Sequence, residues 1–198
     1  MQGSPSGQEL TLTAPVRPWR RATGGGRDEA TLIRQARNGS ADAVETLVRR
    51  HWDAAHRTAF LIVQDTAAAE DIAQEAMLAA VRAIDAFDRR RPFRPWLHRI
   101  VVNRSLDWVK ARQRRPEVSG ELAAGAEAPA PAGEMSAELM SALGALDPDQ
   151  RALVVLRHVL GYRSSELARM LDMPAATVRT RLARALHQLR SLLEGEER

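Results

Sequence analysis

The chain has 198 residues, of which 44% are hydrophobic and only 4% aromatic, and its formal net charge is +4. This length fits one ordinary domain or two small ones, and the aliphatic composition favours compact helical units over a large β-sandwich. The absence of cysteine excludes a disulfide scaffold, a thiolate nucleophile and a Cys-ligated zinc site.

Residues 1–27 are predicted to form a disordered N-terminal extension, because they are rich in Gly, Pro, Ser and Thr and lack helical periodicity. Arg20 and Arg21 suggest a twin-arginine export signal, but no apolar region follows them. No run of the sequence approaches the ~20 apolar residues that a membrane span requires. We therefore expect a cytoplasmic protein without membrane insertion.

Residues 28–115 are predicted to form a first domain, a bundle of four amphipathic helices. The predicted helices are Glu29–Arg37, a second from the N-cap Ser40 to about Val63, a third from Asp65 or Thr66 to about Phe87, and a fourth with Pro95 in its first turn that ends near Gln113. The core of the bundle is predicted from apolar positions at Leu47, Phe60, Ile72, Ala76, Leu97, Ile100 and Leu106.

Charge is sorted by segment in the middle of the chain. From Arg89 to Arg115 there are ten basic residues against a single acid, Asp107. Residues 116–138 carry five acids and no base among Pro, Gly and small residues, which predicts a flexible acidic linker between two domains. Only the basic segment suits phosphate binding through counterion release.

Residues 139–198 are predicted to form a second, smaller helical domain. One helix begins at Asp147-Pro148 and ends at Gly161. A short helix (SELARML) follows, the chain turns at Asp172-Met173, and Pro174 opens a longer helix. A short helix, a tight turn and a longer helix form the helix-turn-helix plan of DNA-binding proteins.

The last helix has two distinct faces. Its predicted buried stripe consists of Val178, Leu182, Ala185, Leu189 and Leu192. Its polar face consists of Thr177, Thr180, Arg181, Arg184 and Gln188. These side chains suit contacts to base edges and phosphates in a major groove, although a surface helix with ordinary solvated arginines would show the same pattern.

The segment EDIAQE at residues 70–75 is acidic within a basic chain. On a helix Asp71, Gln74 and Glu75 share one face, while Ile72 and Ala76 point toward the bundle. Two hypotheses fit this pattern. The face is either a plain solvated surface, with Asp71 near the positive end of the helix dipole, or a docking patch for a basic partner.

Two segments carry a resemblance to a known family. Residues 67–115, which begin AAAEDIAQEAML, resemble region 2 of bacterial sigma factors, and residues 146–189, which begin LDPDQRALVVLRH, resemble region 4. Nothing resembles the intervening regions of the housekeeping type, so the chain is similar to the extracytoplasmic-function (ECF) class. The resemblance implies an all-α fold of two small domains and a subunit that directs core RNA polymerase to promoters.

The resemblance also implies roles for individual residues. The residues that it implies for binding core polymerase are Asp71, Gln74 and Glu75. Capture of an unstacked base of the minus-10 element falls on the loop from Asp88 to Arg94 and the helix after it, with the candidates Arg89, Arg90, Arg91, Arg94, Trp96, Arg99, Asn103 and Arg104. Minus-35 recognition falls on Thr177, Arg179, Thr180, Arg181 and Arg184. Trp96 suits a core position as well as a stacking one, and Asn103 is an open choice between base contact and surface.

The family usually has Gly at the turn of the helix-turn-helix, where this chain has Asp172, a residue that tolerates the left-handed conformation only moderately well. The resemblance further implies core RNA polymerase, promoter DNA and an anti-sigma factor as partners. We expect neither a cofactor nor a metal, since the histidines lack ligand spacing, and we expect no enzymatic activity. The alternative function is a free-standing helix-turn-helix regulator of transcription.

Overall fold

A computed structural model of the chain describes residues 26–114 and 135–196. Over these ranges the structure is helical and contains no strand. The helices are α1 (Gly26–Arg37), α2 (Ala41–Val63), α3 (Thr66–Arg82), α4 (Phe93–Gln113), α5 (Ala137–Gly144), α6 (Pro148–Val154), α7 (Ser164–Met170) and α8 (Ala175–Glu196). A 3-10 turn, Ile84–Ala86, follows α3, and a π-helical segment, Val155–Val159, extends α6. The predicted all-α fold is confirmed, whereas the predicted N-terminal extension lies outside the described residues, apart from the first two positions of α1.

Helices α1 to α4 form the predicted bundle, and side-chain caps fix two of its helix starts. Ser40 Oγ accepts a hydrogen bond from the Ala43 amide at 3.3 Å, and Asp65 Oδ1 accepts one from the Ala68 amide at 2.9 Å. These bonds satisfy amides that have no partner within the helix. The Gly39 φ of +86° reverses the chain between α1 and α2, a conformation that glycine adopts without steric cost.

The region between α3 and α4 differs from the prediction. Helix α3 ends at Arg82 rather than near Phe87, and α4 begins at Phe93, before Pro95. The Arg37 guanidinium donates to the Asp85 carbonyl oxygen at 2.6 Å, which holds the chain in the 3-10 turn. Phe87 is thereby buried, with its ring edge-on to Phe93 at 5.5 Å. The break in the helix is therefore stabilised by an aromatic contact that helical periodicity does not reveal.

Most of the predicted core is buried. Leu47, Phe60, Ile72, Ala76 and Leu97 are all inaccessible to solvent or nearly so. The other two predicted core residues, Ile100 and Leu106, are only half-buried.

The second half of the chain contains one helix that lies partly in the predicted linker. Helix α5 begins at Ala137, where Ser136 Oγ accepts a hydrogen bond from the Leu139 amide at 3.2 Å. The linker was predicted to extend to residue 138, so its last residues are helical instead. Residues 115–134, which make up most of the predicted linker, lie outside the described part of the chain.

The helix-turn-helix is formed by α7 and α8. Helix α7 begins at Ser164, one residue before the predicted start, and the Arg163 amide donates to Glu166 Oε2 at 2.7 Å. Asp172 has a φ of +52°, so it adopts the left-handed turn that the family usually assigns to Gly. In α8 the predicted stripe is confirmed, with Val178 and three further members buried and Leu192 half-buried.

The two halves pack against each other and share a core. Ile62 of α2 and Val102 of α4 are fully buried in a cluster with residues of the second half. Those partners are Ala152, Leu153, Leu156, Tyr162, Leu167, Met170, Val178 and Leu182. Leu106 of α4 packs against the same cluster, which explains why it is absent from the core of the bundle. In this arrangement the helix-turn-helix completes its apolar core with side chains of the bundle.

Candidate nucleic-acid interface

The loop between Phe87 and α4 presents its arginines to solvent. Arg89, Arg90 and Arg91 are all exposed. Asp88 shapes the loop, because its Oδ1 accepts a hydrogen bond from the Arg90 amide at 3.0 Å and its Oδ2 lies 3.7 Å from Arg91 Nε. On α4, Arg99 and Asn103 are exposed at a spacing of four residues, which places them on one face of the helix. These five predicted minus-10 residues are thus accessible to a ligand.

Arg94 is placed differently from the other candidates. It lies in the first turn of α4 rather than in the loop, is half-buried, and its Nε and Nη2 atoms contact no hydrogen-bond partner in the described residues. Its positive charge helps to lower the pKa of His98 and opposes the rise in the pKa of Tyr162 that burial causes. Arg94 therefore lies beside the contact between the two halves, which the sequence did not suggest.

Trp96 is half-buried within an aromatic cluster. Its ring centroid lies 4.9 Å from that of Phe87 and 5.4 Å from that of Phe93. Such tilted contacts contribute packing energy beyond simple burial. This placement favours the core role that the sequence left open for Trp96, and it orders the end of the arginine loop.

The acidic face of α3 is exposed as predicted, and Asp71, Gln74 and Glu75 lie on it together. Leu78, one turn further along the same face, is 48% exposed and was not identified from the sequence. Glu75 Oε2 lies 2.5 Å from Arg104 Nη1 of α4. The structure thus pairs a predicted polymerase-binding residue with a predicted minus-10 residue, and Arg104 borders the acidic face.

Helix α8 presents its predicted recognition residues outward. Arg179, Thr180, Arg181 and Arg184 are exposed and Thr177 is half-buried. The Thr180 hydroxyl donates to the Ala176 carbonyl oxygen at 3.1 Å, a bond that leaves its lone pairs available. The contact with the bundle therefore leaves the arginines of this face accessible.

Arg151 of α6 joins the two halves and was missed by sequence analysis. Its side chain is 7% exposed and donates to three backbone carbonyls: those of Ile62 at 2.6 Å, Gly144 at 2.5 Å and Leu146 at 3.2 Å. The Ile62 carbonyl belongs to the last turn of α2, where carbonyls lack helical partners. Burial lowers the pKa of Arg151, and the nearby Asp147 carboxylate opposes that shift.

His98 of α4 is fully buried at the same contact. Its Nδ1 lies 2.8 Å from the hydroxyl of Tyr162, and burial, reinforced by the charges of Arg94 and His51, lowers the pKa of His98 to about 3. Burial also raises the pKa of Tyr162. The imidazole and the phenol are both neutral near pH 7, so the phenol donates and the imidazole accepts.

The described ranges contain no group of three or more His, Asp or Glu side chains that could hold a metal ion. Within those ranges no helix is both long and apolar enough to cross a membrane.

A helical bundle with exposed arginines, packed against a helix-turn-helix, defines the chain as a two-part helical DNA-binding protein with an additional acidic surface. Two family models match it: sigma-70 region 2 over residues 47–115 and sigma-70 region 4 over residues 136–189. The chain belongs to the sigma-70 family, as an RNA polymerase sigma factor of the ECF class. Sigma factors direct promoter-specific initiation of transcription, and they recognise DNA without catalysing a reaction.

Similar proteins match over most of their length. The chain is 36% identical to the ECF sigma factor SigM of Mycobacterium tuberculosis H37Rv over 167 residues, which are 84% of this chain and 85% of that protein. It is 33% identical to the sigma factor CnrH of Cupriavidus metallidurans over 179 residues, 83% of this chain and 94% of that protein. It is 30% identical to SigW of Bacillus subtilis over 178 residues, 81% of this chain and 94% of that protein.

Solved structures share the fold. CnrH in complex with the cytosolic domain of CnrY superposes with a TM-score of 0.65 at 30% identity, covering 84% of this chain and 97% of that one. The sigma factor RpoE of Bartonella quintana, solved with the anti-sigma factor NepR, gives a TM-score of 0.61 at 24% identity, covering 76% of this chain and 96% of that one. The latter likeness concerns the fold alone.

Proposed function

We propose that this sigma factor divides initiation among three surfaces: the acidic face of α3 for core polymerase, the arginine loop with α4 for the minus-10 element, and the polar face of α8 for the minus-35 element. The observation that carries the proposal is the exposure of all three surfaces on different helices of one compact protein. The first surface is acidic and suits a basic partner, whereas the second is basic and suits an acidic one.

The acidic face of α3 suits a basic protein surface. Asp71 and Glu75 supply the charge, Gln74 supplies an amide between them, and Leu78 supplies an apolar contact at the edge. Because Glu75 already contacts Arg104, docking of polymerase would replace or extend that ion pair. Exposed ion pairs are worth only about 0–1 kcal/mol, so the exchange costs little.

The arginine loop suits an unpaired strand. Removing a base from its stack costs a few kcal/mol, which contacts to phosphates and to the base must offset. Arg89, Arg90 and Arg91 supply the charge, and Arg99 and Asn103 extend the surface along α4. Trp96 acts by packing under the loop, and the half-buried Arg94 would have to turn outward to reach DNA.

Helix α8 suits a major groove. Arg181 and Arg184 can read guanine edges or bind phosphates, Arg179 adds a phosphate contact, and Thr177 and Thr180 are short enough to approach the bases. The buried stripe on the other side holds this face outward.

We further propose that an anti-sigma factor regulates the protein in the cytoplasm, where promoter DNA is found. The support is that CnrH, which is 30% identical to this chain in its solved structure, forms a complex with the cytosolic domain of its anti-sigma factor CnrY. A mask over the acidic face of α3 would block polymerase without touching the DNA-binding arginines.

Charge-reversal variants of this chain, assayed with purified core polymerase, test the assignment of the three surfaces. We expect the triple change Asp71→Lys, Gln74→Lys and Glu75→Lys to abolish co-purification with core enzyme and run-off transcription. Reversal of the exposed Asp53 on α2 is the control and should change neither co-purification nor transcription.

Charge reversal of Arg89, Arg90 and Arg91 should leave co-purification with core polymerase intact but prevent promoter melting, as measured by permanganate reactivity near the minus-10 position. Charge reversal of Arg181 and Arg184 should abolish protection of the minus-35 element in a footprinting experiment and leave co-purification with core polymerase unchanged.

A free-standing regulator would need only the helix-turn-helix, whereas the chain also matches region 2 over residues 47–115. Retained core binding after reversal of the acidic face would overturn the assignment of that face to polymerase.

A further inference from the structure

Helix α1 and the arginine loop enclose an open groove of about 710 Å³. Ala30, Thr31, Arg34 and Arg37 line one wall, and Phe87, Asp88, Arg89 and Arg90 line the other. We propose that α1 is the second wall of the minus-10 site, and that Arg34 binds a phosphate of single-stranded DNA there while Arg37 positions the loop. This inference rests on the proposed function of the loop and adds a helix to it that lies outside the region 2 match, which begins at residue 47.

The sequence of α1 places Arg34 and Arg37 on the groove side. Ala30, Arg34 and Arg37 recur at steps of four and three, which forms one stripe of a helix, while Ile33 and Ala36 are buried on another side. The two acids of α1 are held by α2, because Asp28 Oδ2 lies 2.5 Å from Arg50 Nη2 and Glu29 Oε1 lies 2.8 Å from His51 Nε2. The carboxylates of α1 are therefore occupied away from the groove.

The loop is fixed to α1 through Arg37. Its Nη2 donates to the Asp85 carbonyl oxygen at 2.6 Å and its Nε lies 3.5 Å from Asp85 Oδ1. Arg37 thus ties α1 to the turn that starts the loop, so the two walls keep a defined separation. Arg37 is a positioning residue in this account.

The charge of the groove is strongly positive. Asp88 is the one carboxylate among its lining residues, and it is engaged by the Arg90 amide and by Arg91. Arg34 is exposed, and its guanidinium contacts no carboxylate within the part of the chain that the structure describes. With Arg89 and Arg90 opposite, Arg34 completes a cationic channel of the kind that follows a phosphodiester backbone.

Single-stranded DNA fits this groove better than an acidic polypeptide does, because the groove shares Arg89 and Arg90 with the loop assigned to the unpaired strand. A strand captured at the loop would continue along α1 without leaving the positive surface. The volume of the groove lies within the range of sites that hold small ligands, about 300–1,000 Å³. A groove of this size suits one nucleotide unit at a time.

The test uses the full chain and a fluorescein-labelled single-stranded DNA 12-mer of mixed sequence, with affinity measured by anisotropy over a salt series. We expect Arg34→Glu to weaken binding on the order of tenfold and to reduce the slope of log affinity against log salt by about 0.7, the value for one lost phosphate contact on a single strand. Ala30→Lys should tighten binding severalfold, a gain that a misfolded variant cannot give. Arg190→Glu, the same change at an exposed position of α8, should leave affinity within about twofold.

The loop variant Arg89→Glu with Arg90→Glu separates the possible failures. If it loses affinity while Arg34→Glu and Ala30→Lys match the unaltered chain, α1 is no part of the site and the inference is wrong. If the loop variant also binds normally, the proposed minus-10 site fails together with its extension. If Arg34→Glu abolishes binding of a labelled deca-glutamate peptide but spares DNA, the groove serves an acidic polypeptide and the inference is equally wrong.

Discussion

The Tyr162 hydroxyl lies 2.8 Å from Nδ1 of His98, and this buried hydrogen bond joins the loop before α7 to helix α4. The two rings meet edge-on, with centroids 5.7 Å apart. Tyr162 belongs to the helix-turn-helix half and His98 to the bundle, so the bond belongs to the contact between them. Its strength therefore reports on the association of the two halves.

Tyr162→Phe should destabilise the protein by about 1–3 kcal/mol, because the buried Nδ1 of His98 loses its donor and water cannot replace it. Urea unfolding at pH 7.5 measures the change. In a His98→Leu background the same substitution should cost less than about 0.5 kcal/mol, since both polar partners are then gone. Equal costs in the two backgrounds would show that the hydrogen bond contributes nothing.

The burial of His98 predicts a loss of stability in mild acid. Its pKa falls from 6.5 to about 3 in the folded protein, so the unfolded chain binds a proton more readily between these values. Stability is then fully present above about pH 6.5 and declines as pH falls below it, by about 2 kcal/mol between pH 7.5 and pH 5.

Three neighbours of His98 bear on this titration. Arg94 and His51 oppose the imidazolium, and Tyr162 stays neutral over the range. His158, whose pKa is lowered by burial and by Arg157, adds a dependence of the same sign. Comparison with His98→Leu isolates the contribution of His98, because His158 titrates in both proteins. Parallel stability profiles for the two proteins from pH 7.5 to pH 5 would contradict the prediction.

Arg151→Met should destabilise the protein by about 2–4 kcal/mol. The substitution keeps much of the buried volume, but it leaves the carbonyls of Ile62, Gly144 and Leu146 without their donor. Arg151→Lys should be intermediate, because an ammonium group cannot span all three carbonyls in the geometry of a guanidinium. The exposed Arg169→Met on α7 is the control and should stay within about 0.5 kcal/mol in the same urea titration.

Local signals in the sequence were sufficient for most of the fold. The cap at Ser40, the start of α3 at Asp65 or Thr66 and the turn at Asp172 each depend on a few neighbouring positions, and the structure has a cap at Ser40, a cap at Asp65 and the turn at Asp172. The exposed arginines of the loop and of α8 followed from charge and helical periodicity. These features depend on near neighbours, which a single sequence displays.

Contacts between distant segments could not be predicted in this way. Arg151 resembles an ordinary surface arginine until the Ile62 carbonyl, 89 positions away, lies against it. His98 resembles a polar surface residue until Tyr162, 64 positions away, covers it. The pairing of Glu75 with Arg104 likewise joins residues to which the family resemblance gives separate functions. Which residues a second domain buries is a property of packing, and periodicity within one helix does not encode it.

Arg104→Gln should leave the free energy of unfolding within about 1 kcal/mol of its original value, because the ion pair with Glu75 is exposed. Co-purification with core polymerase should persist, because the acidic face becomes more negative when Arg104 no longer neutralises Glu75. Promoter melting should weaken, because the family resemblance implies that Arg104 also binds the minus-10 DNA. A loss of core binding in this variant, measured by gel filtration of the holoenzyme, would place Arg104 in the polymerase surface instead.

Gly144→Ala tests how closely α5 approaches the end of α2. A Cβ at this position would meet the side-chain oxygen of Gln64, whose Nε2 donates to the Met140 carbonyl at 2.5 Å. The glutamine would have to swing away and lose that bond, so we expect a destabilisation of about 1 kcal/mol. In a Gln64→Ala background the obstacle is absent, and Gly144→Ala should instead stabilise by about 0.5 kcal/mol through reduced backbone freedom of the unfolded chain. A double-mutant cycle in urea measures this change of sign, and equal effects of Gly144→Ala in both backgrounds would show that the two helices do not meet at this point in solution.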